Sequence, residues 1–235
     1  MASYRDSIRR FDVSFLCVMP LVFVYILGSV FLRYAPPNGA DFFTPLIYHY
    51  FGQRGVFVFG LLLLLFSLVI YSRLKEQKSF RADYIIVVFA EGIVFAVIMV
   101  FFLSVVIRSI YPVATSSEKI GFAGVLTVSA GAGVWEEMLF RVSIMGGLYS
   151  LILGNRKRYK VVAFFVSLFI SAVLFSLAHF FAETPTLLLF LYRFFAGVFL
   201  GTLYLWRGYG VCAYSHFVFD VLALVFSNPR ATSVP

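Results

Sequence analysis

The sequence predicts an all-α protein, a polytopic membrane bundle of seven or eight transmembrane helices. Two observations predict this fold class. Of the 235 residues, 62% are hydrophobic and 13% are charged, whereas a soluble domain is about 45–50% apolar and about 25% charged. Seven stretches are also apolar and long enough to cross a bilayer, which takes about 20 residues. They are Val13–Leu32, Gly55–Tyr71, Tyr84–Ile107, a span within Ile120–Leu153, Val161–Phe180, Thr186–Trp206 and Gly210–Phe226.

The first and fourth stretches need separate arguments. The first follows a basic N-terminus, but it is too long for a signal peptide and lacks a convincing cleavage site, so we expect a retained anchor. The fourth is too long for one perpendicular crossing. Gly131, Ala132 and Gly133 lie in its middle, so we expect a break or kink there, or a helix that enters from a surface segment. This stretch decides between seven and eight elements.

The net charge of +8 is explained by membrane orientation, because Lys and Arg collect in cytoplasmic loops. Twelve of these residues fall on one side of the predicted spans and five on the other. The N-terminus is therefore predicted to be cytoplasmic, and no nucleic-acid partner is needed. The larger group comprises Arg5, Arg9, Arg10, Arg73, Lys75, Lys78, Arg81, Arg156, Lys157, Arg158, Lys160 and Arg207; the smaller comprises Arg33, Arg54, Arg108, Lys119 and Arg230.

The linkers are short and show no internal repeat, which favours a single membrane-embedded domain over 1–235, with a catalytic half at about 120–226. The longest linker, Tyr34–Arg54, is expected outside as a loop or interfacial segment with an exposed His49. Cys17 and Cys212 lie in apolar runs. We therefore expect small apolar side chains, with no disulfide and no place in a polar cluster.

Ionisable residues inside a span are costly and indicate function by default. In the fourth span, the adjacent Glu136 and Glu137 point about 100° apart, so they must do different jobs. Glu137 precedes Arg141 by four residues, which is the favourable orientation for an ion pair. Glu136 is then left to act as a general acid or base. The full set of such residues is Glu91, Glu136, Glu137, Arg141, His179, Arg193, His216 and Asp220.

Two further spans carry histidines. His179 ends the fifth span, and Phe175, one turn earlier, can pack on its ring. His216 and Asp220 are four apart in the seventh span, so the carboxylate can bond one ring nitrogen. A structural role remains the alternative for each pair.

One shared cluster would satisfy Glu136, His179, His216 and Asp220 together, whereas scattered burial in lipid would satisfy none. These four residues form the ligand set of a hydrolytic zinc site. They equally fit a metal-free site, in which a Glu–His pair activates water and the other His and the Asp stabilise the oxyanion. Both versions hydrolyse an amide.

The order Glu-Glu-x-x-x-Arg, Phe-x-x-x-His and His-x-x-x-Asp resembles the CPBP family of CAAX proteases and bacteriocin-processing enzymes, also called Abi, which includes the type II CAAX prenyl endopeptidases. The resemblance implies a helical bundle around an intramembrane polar cavity. It implies Glu136 and His179 as the water-activating pair and His216 with Asp220 as the oxyanion site. Glu137 and Arg141 would support them. The prenyl endopeptidases usually carry Asn where this chain has Asp220, and the resemblance favours a metal-free site.

The predicted orientation places this site in the outer half of the membrane, nearer a membrane-anchored protein or precursor peptide than a cytoplasmic prenylated tail. Glu91 and Arg193 both fall near the midplane, which predicts a structural ion pair, with substrate binding as the minor alternative. Gly197 and Gly201 permit close helix approach, and Trp206 and Tyr209 suit an interfacial belt.

The leading hypothesis is an intramembrane endopeptidase in the cell membrane with no cofactor. The alternatives are a zinc-dependent version of the same protease, a non-enzymatic immunity or scaffold protein, and a small transporter. A transporter would require repeats or broken helices in both halves of the chain, and the sequence shows an interruption in only one.

Overall fold

The fold is described from a computed structural model of the chain. The structure describes residues 3–32, 43–107, 121–154, 157–181 and 185–227. Within these ranges the protein is all helical, as predicted. The helices are α1 (Tyr4–Arg9), α2 (Phe11–Phe31), α3 (Phe43–Glu76), α4 (Asp83–Ile107), α5 (Phe122–Gly131), a π-helical segment (Ala132–Gly146), α6 (Gly147–Leu153), α7 (Lys160–Ala178), α8 (Leu187–Arg207) and α9 (Tyr209–Ser227). Short 3-10 turns, Lys157–Tyr159 and His179–Phe181, flank α7.

Six helices in the described part are long and apolar enough to cross a membrane, which makes the chain an integral membrane protein. They coincide with six of the predicted stretches to within a few residues, except that α3 begins well before the predicted Gly55. The six are Phe11–Phe31, Leu46–Glu76, Asp83–Ile107, Lys160–Phe181, Leu187–Arg207 and Tyr209–Phe226.

The remaining predicted stretch contains a change of helix type. Gly131 and Ala132 both keep right-handed helical dihedrals, so the expected break in the backbone does not occur. At Ala132 the helix passes from α to π and stays π-helical to Gly146. Such wide turns are uncommon and are often found at functional sites. Gly133, near the start of the π-helical segment, is required for packing, since a Cβ there would lie 2.5 Å from the Ala213 carbonyl oxygen of α9.

Helix α9 lies at the centre of the bundle, where it packs against α2, α4, α5, α8 and the π-helical segment. Helix α7 packs against α8 and the π-helical segment. The predicted close approach at Gly197 and Gly201 is confirmed. A Cβ on Gly197 would lie 3.1 Å from the Ala172 Cα, and one on Gly201 would lie 2.6 Å from the Leu168 Cδ1. Small residues thus set the α7–α8 distance and, with it, the position of the end of α7.

The N-terminal helix α1 is fixed against the turn between α8 and α9. Gly208 in that turn has φ +92°, and a Cβ there would lie 2.7 Å from the Ile8 carbonyl oxygen. Ser14 donates a hydrogen bond to the same carbonyl and accepts one of 3.2 Å from the Gly210 backbone N–H. The start of α9 is therefore held by the N-terminal part of the chain.

The long predicted linker falls partly outside the described residues, which resume at Phe43. From there the chain is helical and is interrupted only at Gly52, where φ is +63°. His49 is exposed, as predicted. Tyr209 contradicts its predicted place in an interfacial belt, because it is 2% exposed. It faces the bundle interior, where its ring packs against Phe11 of α2 with centroids 5.9 Å apart and its hydroxyl donates a hydrogen bond to the Val134 carbonyl oxygen.

The predicted ion pair between Glu91 and Arg193 is wrong. Glu91 pairs with Arg207, whose Nε donates a 2.9 Å hydrogen bond to Glu91 Oε2, and whose Nη2 contacts Oε1. Arg193 precedes Arg207 by fourteen residues on α8, which is about 21 Å along a helix. Glu91 is reached from the end of α8 because a long arginine side chain can extend back along the bundle.

Candidate active site

The residues singled out from the sequence meet in one buried cluster. The π-helical segment supplies two carboxylates and a guanidinium, the end of α7 supplies an imidazole, and α9 supplies an imidazole and a carboxylate. Every predicted site residue belongs to this cluster, namely Glu136, Glu137, Arg141, Phe175, His179, His216 and Asp220.

Glu137 and Arg141 form the predicted ion pair, with Arg141 Nε 3.1 Å from Glu137 Oε2. Both side chains are completely buried. The guanidinium also donates a 3.1 Å hydrogen bond from Nη1 to the Ser171 hydroxyl on α7. Its Cζ lies 4.6 Å from the centroid of the Phe175 ring, in cation–π contact. Arg141 therefore joins the π-helical segment to α7.

Glu137 also holds the ring of His216. The Nδ1 atom of His216 lies 2.8 Å from Glu137 Oε1, at hydrogen-bonding distance. Since an ionised carboxylate only accepts hydrogen bonds, Nδ1 carries the proton. The opposite nitrogen, Nε2, then points toward Glu136. The sequence predicts Asp220 as the partner of this ring, whereas the hydrogen bond to Nδ1 is made by Glu137.

Glu136 faces the two histidines across a gap. Its Oε2 lies 3.7 Å from His179 Nε2 and 3.8 Å from His216 Nε2. These distances are too long for direct hydrogen bonds. Glu136 is 5% exposed, and its Oε2 accepts no hydrogen bond from the described part of the chain. The two adjacent carboxylates therefore differ in their contacts: Glu137 contacts Arg141, Cys212 and His216, whereas Glu136 Oε2 accepts no hydrogen bond from these residues.

His179 is oriented by its own helix. Its Nδ1 lies 2.8 Å from the Phe175 carbonyl oxygen, which can only accept, so Nδ1 carries the proton and Nε2 of the neutral ring is an acceptor. The Phe175 ring packs edge-on against the imidazole, with centroids 4.8 Å apart, as the one-turn spacing predicted. His179 thus presents Nε2 to Glu136.

Asp220 lies on the same face of α9 as His216, one turn further on. Its Oδ2 is 3.5 Å from His216 Nε2. This confirms the predicted proximity. The 14% exposure of its side chain makes Asp220 one of the more accessible groups of the cluster, next to the gap between Glu136 and the histidines.

Two residues of the cluster were missed. Cys212 was expected outside any polar cluster, yet its Sγ lies 2.9 Å from Glu137 Oε2 and 3.2 Å from the Leu200 carbonyl oxygen. The signal was its position four residues before His216, on the same helical face. Arg193 is 7% exposed, and its charge interacts with Glu136, His179 and Asp220.

Arg193 had been assigned to an ion pair with Glu91, which drew it away from the site. Its place near the site could have been predicted from its position early in α8, because α8 begins at the end of the bundle where α7 and His179 end. The histidines and carboxylates of the described part do not form a group of three or more ligands that could hold a metal ion.

A bundle of apolar helices around a buried Glu–His cluster is the arrangement expected of a membrane-embedded hydrolase. Comparison with known proteins specifies the class further. Residues 118–222 match the family model described as type II CAAX prenyl endopeptidase Rce1-like. This segment, which contains every residue of the site, is similar to that protease family, and the predicted resemblance to CPBP proteases is confirmed to that extent. Neither a curated protein nor a solved structure matches the chain.

Proposed function

We propose that the protein is an intramembrane endopeptidase that cleaves a membrane-anchored protein or precursor peptide by attack of water. One observation carries this proposal: the Oε2 of Glu136 lies 3.7 Å from His179 Nε2 and 3.8 Å from His216 Nε2. At this separation a water molecule can bridge the two acceptors Glu136 Oε2 and His179 Nε2. The protease family of the domain supports the same reaction class.

Glu136 and His179 are the proposed water-activating pair. A water between them donates one hydrogen bond to Glu136 Oε2 and one to His179 Nε2, which leaves an oxygen lone pair for the substrate carbonyl carbon. As the C–O bond forms, Glu136 takes the proton as general base. When the C–N bond breaks, the same carboxylic acid returns the proton to the leaving amine. The amide is thus hydrolysed without a covalent enzyme intermediate.

His216 and Asp220 are the proposed oxyanion site. A protonated His216 keeps its Nδ1–H on Glu137 and directs its Nε2–H toward the gap. The carbonyl oxygen of the substrate gains negative charge there in the transition state and is stabilised by that donor. Asp220, 3.5 Å from the same nitrogen, either donates in its protonated form or orients the ring.

The proposed mechanism is metal-free. This choice follows the resemblance to the CPBP proteases, because the Nδ1 hydrogen bonds of His179 to the Phe175 carbonyl oxygen and of His216 to Glu137 leave both Nε2 atoms free and fit either version. Dialysis of the purified protein against a chelator, followed by metal analysis, tests it. Processing that is lost with the metal and restored by added zinc would establish the zinc-dependent alternative.

The substrate class is proposed from the orientation of the helices. We infer a cytoplasmic N-terminus from the excess of Lys and Arg in the loops on that side of the predicted spans. His179 then lies at the outer end of α7, and Asp220 lies beyond the middle of the outgoing α9. A site in the outer half of the cell membrane would act on proteins anchored there, such as those with C-terminal sorting anchors or precursor peptides, and less readily on cytoplasmic prenylated tails.

The orientation can be tested with two single cysteines. Cys17 and Cys212 are free and buried, so the background labelling of intact cells by an impermeant thiol reagent is low. His49→Cys and Arg158→Cys place a thiol at exposed positions on opposite predicted sides. Labelling of position 49 alone is expected. Labelling of position 158 alone would place the site in the cytoplasmic half.

The activity is tested by mass spectrometry of the termini of membrane proteins in cells that express the wild type, Glu136→Ala, His179→Ala or His216→Ala. Termini present only with the wild type are expected, at equal levels of folded protein in all four. Unchanged termini in all three variants would exclude the protease and leave the non-enzymatic scaffold.

A further inference from the structure

Tyr209 is a fully buried polar side chain that the proposed reaction does not use. It lies at the start of α9 and is 2% exposed. Its hydroxyl donates a 3.0 Å hydrogen bond to the Val134 carbonyl oxygen in the π-helical segment. Val134 comes two residues before Glu136. The hydroxyl therefore joins the helix of His216 to the backbone just before the proposed general base.

This contact is the first of three along one face of α9. Tyr209, Cys212 and His216 are three and four residues apart, so they share that face. Tyr209 binds Val134, whereas Cys212 and His216 both bind Glu137, at 2.9 Å and 2.8 Å. Two of the contacts act on the side chain of Glu137. The Tyr209 contact acts on the backbone of the segment.

The backbone contact matters because a π-helix is less stable than an α-helix and is usually limited to a short turn. A carbonyl oxygen has two lone pairs, so Val134 can accept the tyrosine hydrogen bond in addition to a helical one. Gly133, the preceding residue, packs directly on the Ala213 carbonyl oxygen. Relaxation of this turn toward α-helical geometry would rotate Glu136 about the helix axis, away from the histidines.

We propose that Tyr209 is a positioning residue: its hydroxyl holds the π-helical turn at Val134 and thereby sets Glu136 at its distance from His179 and His216. The consequence for catalysis rests on the proposed function, in which Glu136 is the general base. The consequence for the backbone, a stabilised π-helical turn, does not rest on the proposed function. The two can therefore be tested separately.

Tyr214 provides a matched control. It lies on the same helix, is 3% exposed, and its hydroxyl also donates a 3.0 Å hydrogen bond to a backbone carbonyl oxygen, that of Cys17 in α2. Tyr209→Phe and Tyr214→Phe each remove one buried hydroxyl and nothing else. They differ in the partner helix, which is the π-helical segment for one and α2 for the other.

The first measurement is amide hydrogen exchange of the detergent-solubilised full chain, which needs no substrate. In Tyr209→Phe, peptides from the π-helical segment Ala132–Gly146 should exchange about fivefold faster than in the wild type, the factor expected for one buried hydrogen bond. In Tyr214→Phe the same peptides should exchange at the wild-type rate. Equal exchange of this segment in the two variants would overturn the proposal.

The second measurement is the rate of processing of the membrane protein whose terminus depends on Glu136. Tyr209→Phe should lower kcat about fivefold and leave KM unchanged, because a misplaced general base affects the transition state and not substrate binding. Tyr214→Phe should match the wild type. A loss of kcat shared by both variants would show a general effect of stability and overturn the positioning role.

The failure of the two proposals can be distinguished. If Glu136→Ala leaves every terminus unchanged, the proposed function fails, and the exchange measurement still decides whether Tyr209 holds the π-helical turn. If Glu136→Ala abolishes processing while Tyr209→Phe matches the wild type in exchange and rate, Tyr209 is not a positioning residue and the proposed function stands.

Discussion

The Nδ1 of His216 lies 2.8 Å from Oε1 of Glu137, so the second carboxylate of the adjacent pair fixes the histidine of α9. Glu137 simultaneously pairs with the buried Arg141. One carboxylate thus organises a cation and an imidazole, which leaves its neighbour Glu136 to face the gap. The different contacts of these two adjacent acids are the central feature of this site.

The first prediction concerns Glu136. Glu136→Gln keeps the shape of the side chain but cannot take a proton, so processing should fall at least about 100-fold, the contribution of a general base. Stability should change little, because Oε2 accepts no hydrogen bond from the described residues. The rate and the free energy of unfolding in mixed micelles check this. Glu91→Gln, away from the cluster, is the control, and a matching rate for both variants would contradict the assignment.

The second prediction concerns Glu137. Glu137→Gln leaves the fully buried guanidinium of Arg141 without its counter-ion, which should lower the free energy of unfolding by about 3 kcal/mol. Combining it with Arg141→Met removes the uncompensated charge and should restore part of that loss. Glu76→Gln, at an exposed position, should be neutral. If Glu137→Gln is as stable as the Glu76 variant, the ion pair does not stabilise the fold.

The third prediction concerns Asp220. Asn offers an amide N–H at the same place, so Asp220→Asn should keep processing within about threefold, whereas Asp220→Ala should lower it about 100-fold, as for a lost oxyanion donor. The rates of the two variants, measured on one substrate, check this. Complete loss in Asp220→Asn would instead show that the negative charge beside His216 Nε2, 3.5 Å away, is required.

The fourth prediction concerns the turn that joins α8 to α9. Gly208→Ala must place a Cβ 2.7 Å from the Ile8 carbonyl oxygen at φ +92°, and it should destabilise the protein by about 2 kcal/mol. Gly147→Ala has no neighbour within 4 Å and helical dihedrals, so it should be neutral or slightly stabilising. Thermal unfolding of both variants checks the difference. An equal effect would show that α1 does not pack closely on this turn.

The sequence alone predicted the fold class and every member of the cluster except Cys212 and Arg193. Apolar composition and run lengths imply membrane helices, because a bilayer requires every backbone polar group to be satisfied within the segment. Spacing within a helix predicted Glu137 with Arg141, Phe175 with His179 and His216 with Asp220, because residues four apart always share a face. The membership of the cluster followed from the high cost of isolated charges in lipid.

Tertiary structure decided the partners between helices. Glu137 with His216, Cys212 with Glu137 and Glu91 with Arg207 were not predicted, and Glu91 with Arg193 was predicted wrongly. Such pairs depend on how each helix is rotated and shifted along its axis. Those quantities are set by close contacts such as Gly133 against α9 and by the change from α- to π-helix at Ala132. No local spacing in the sequence encodes them, because each is a property of two surfaces in contact.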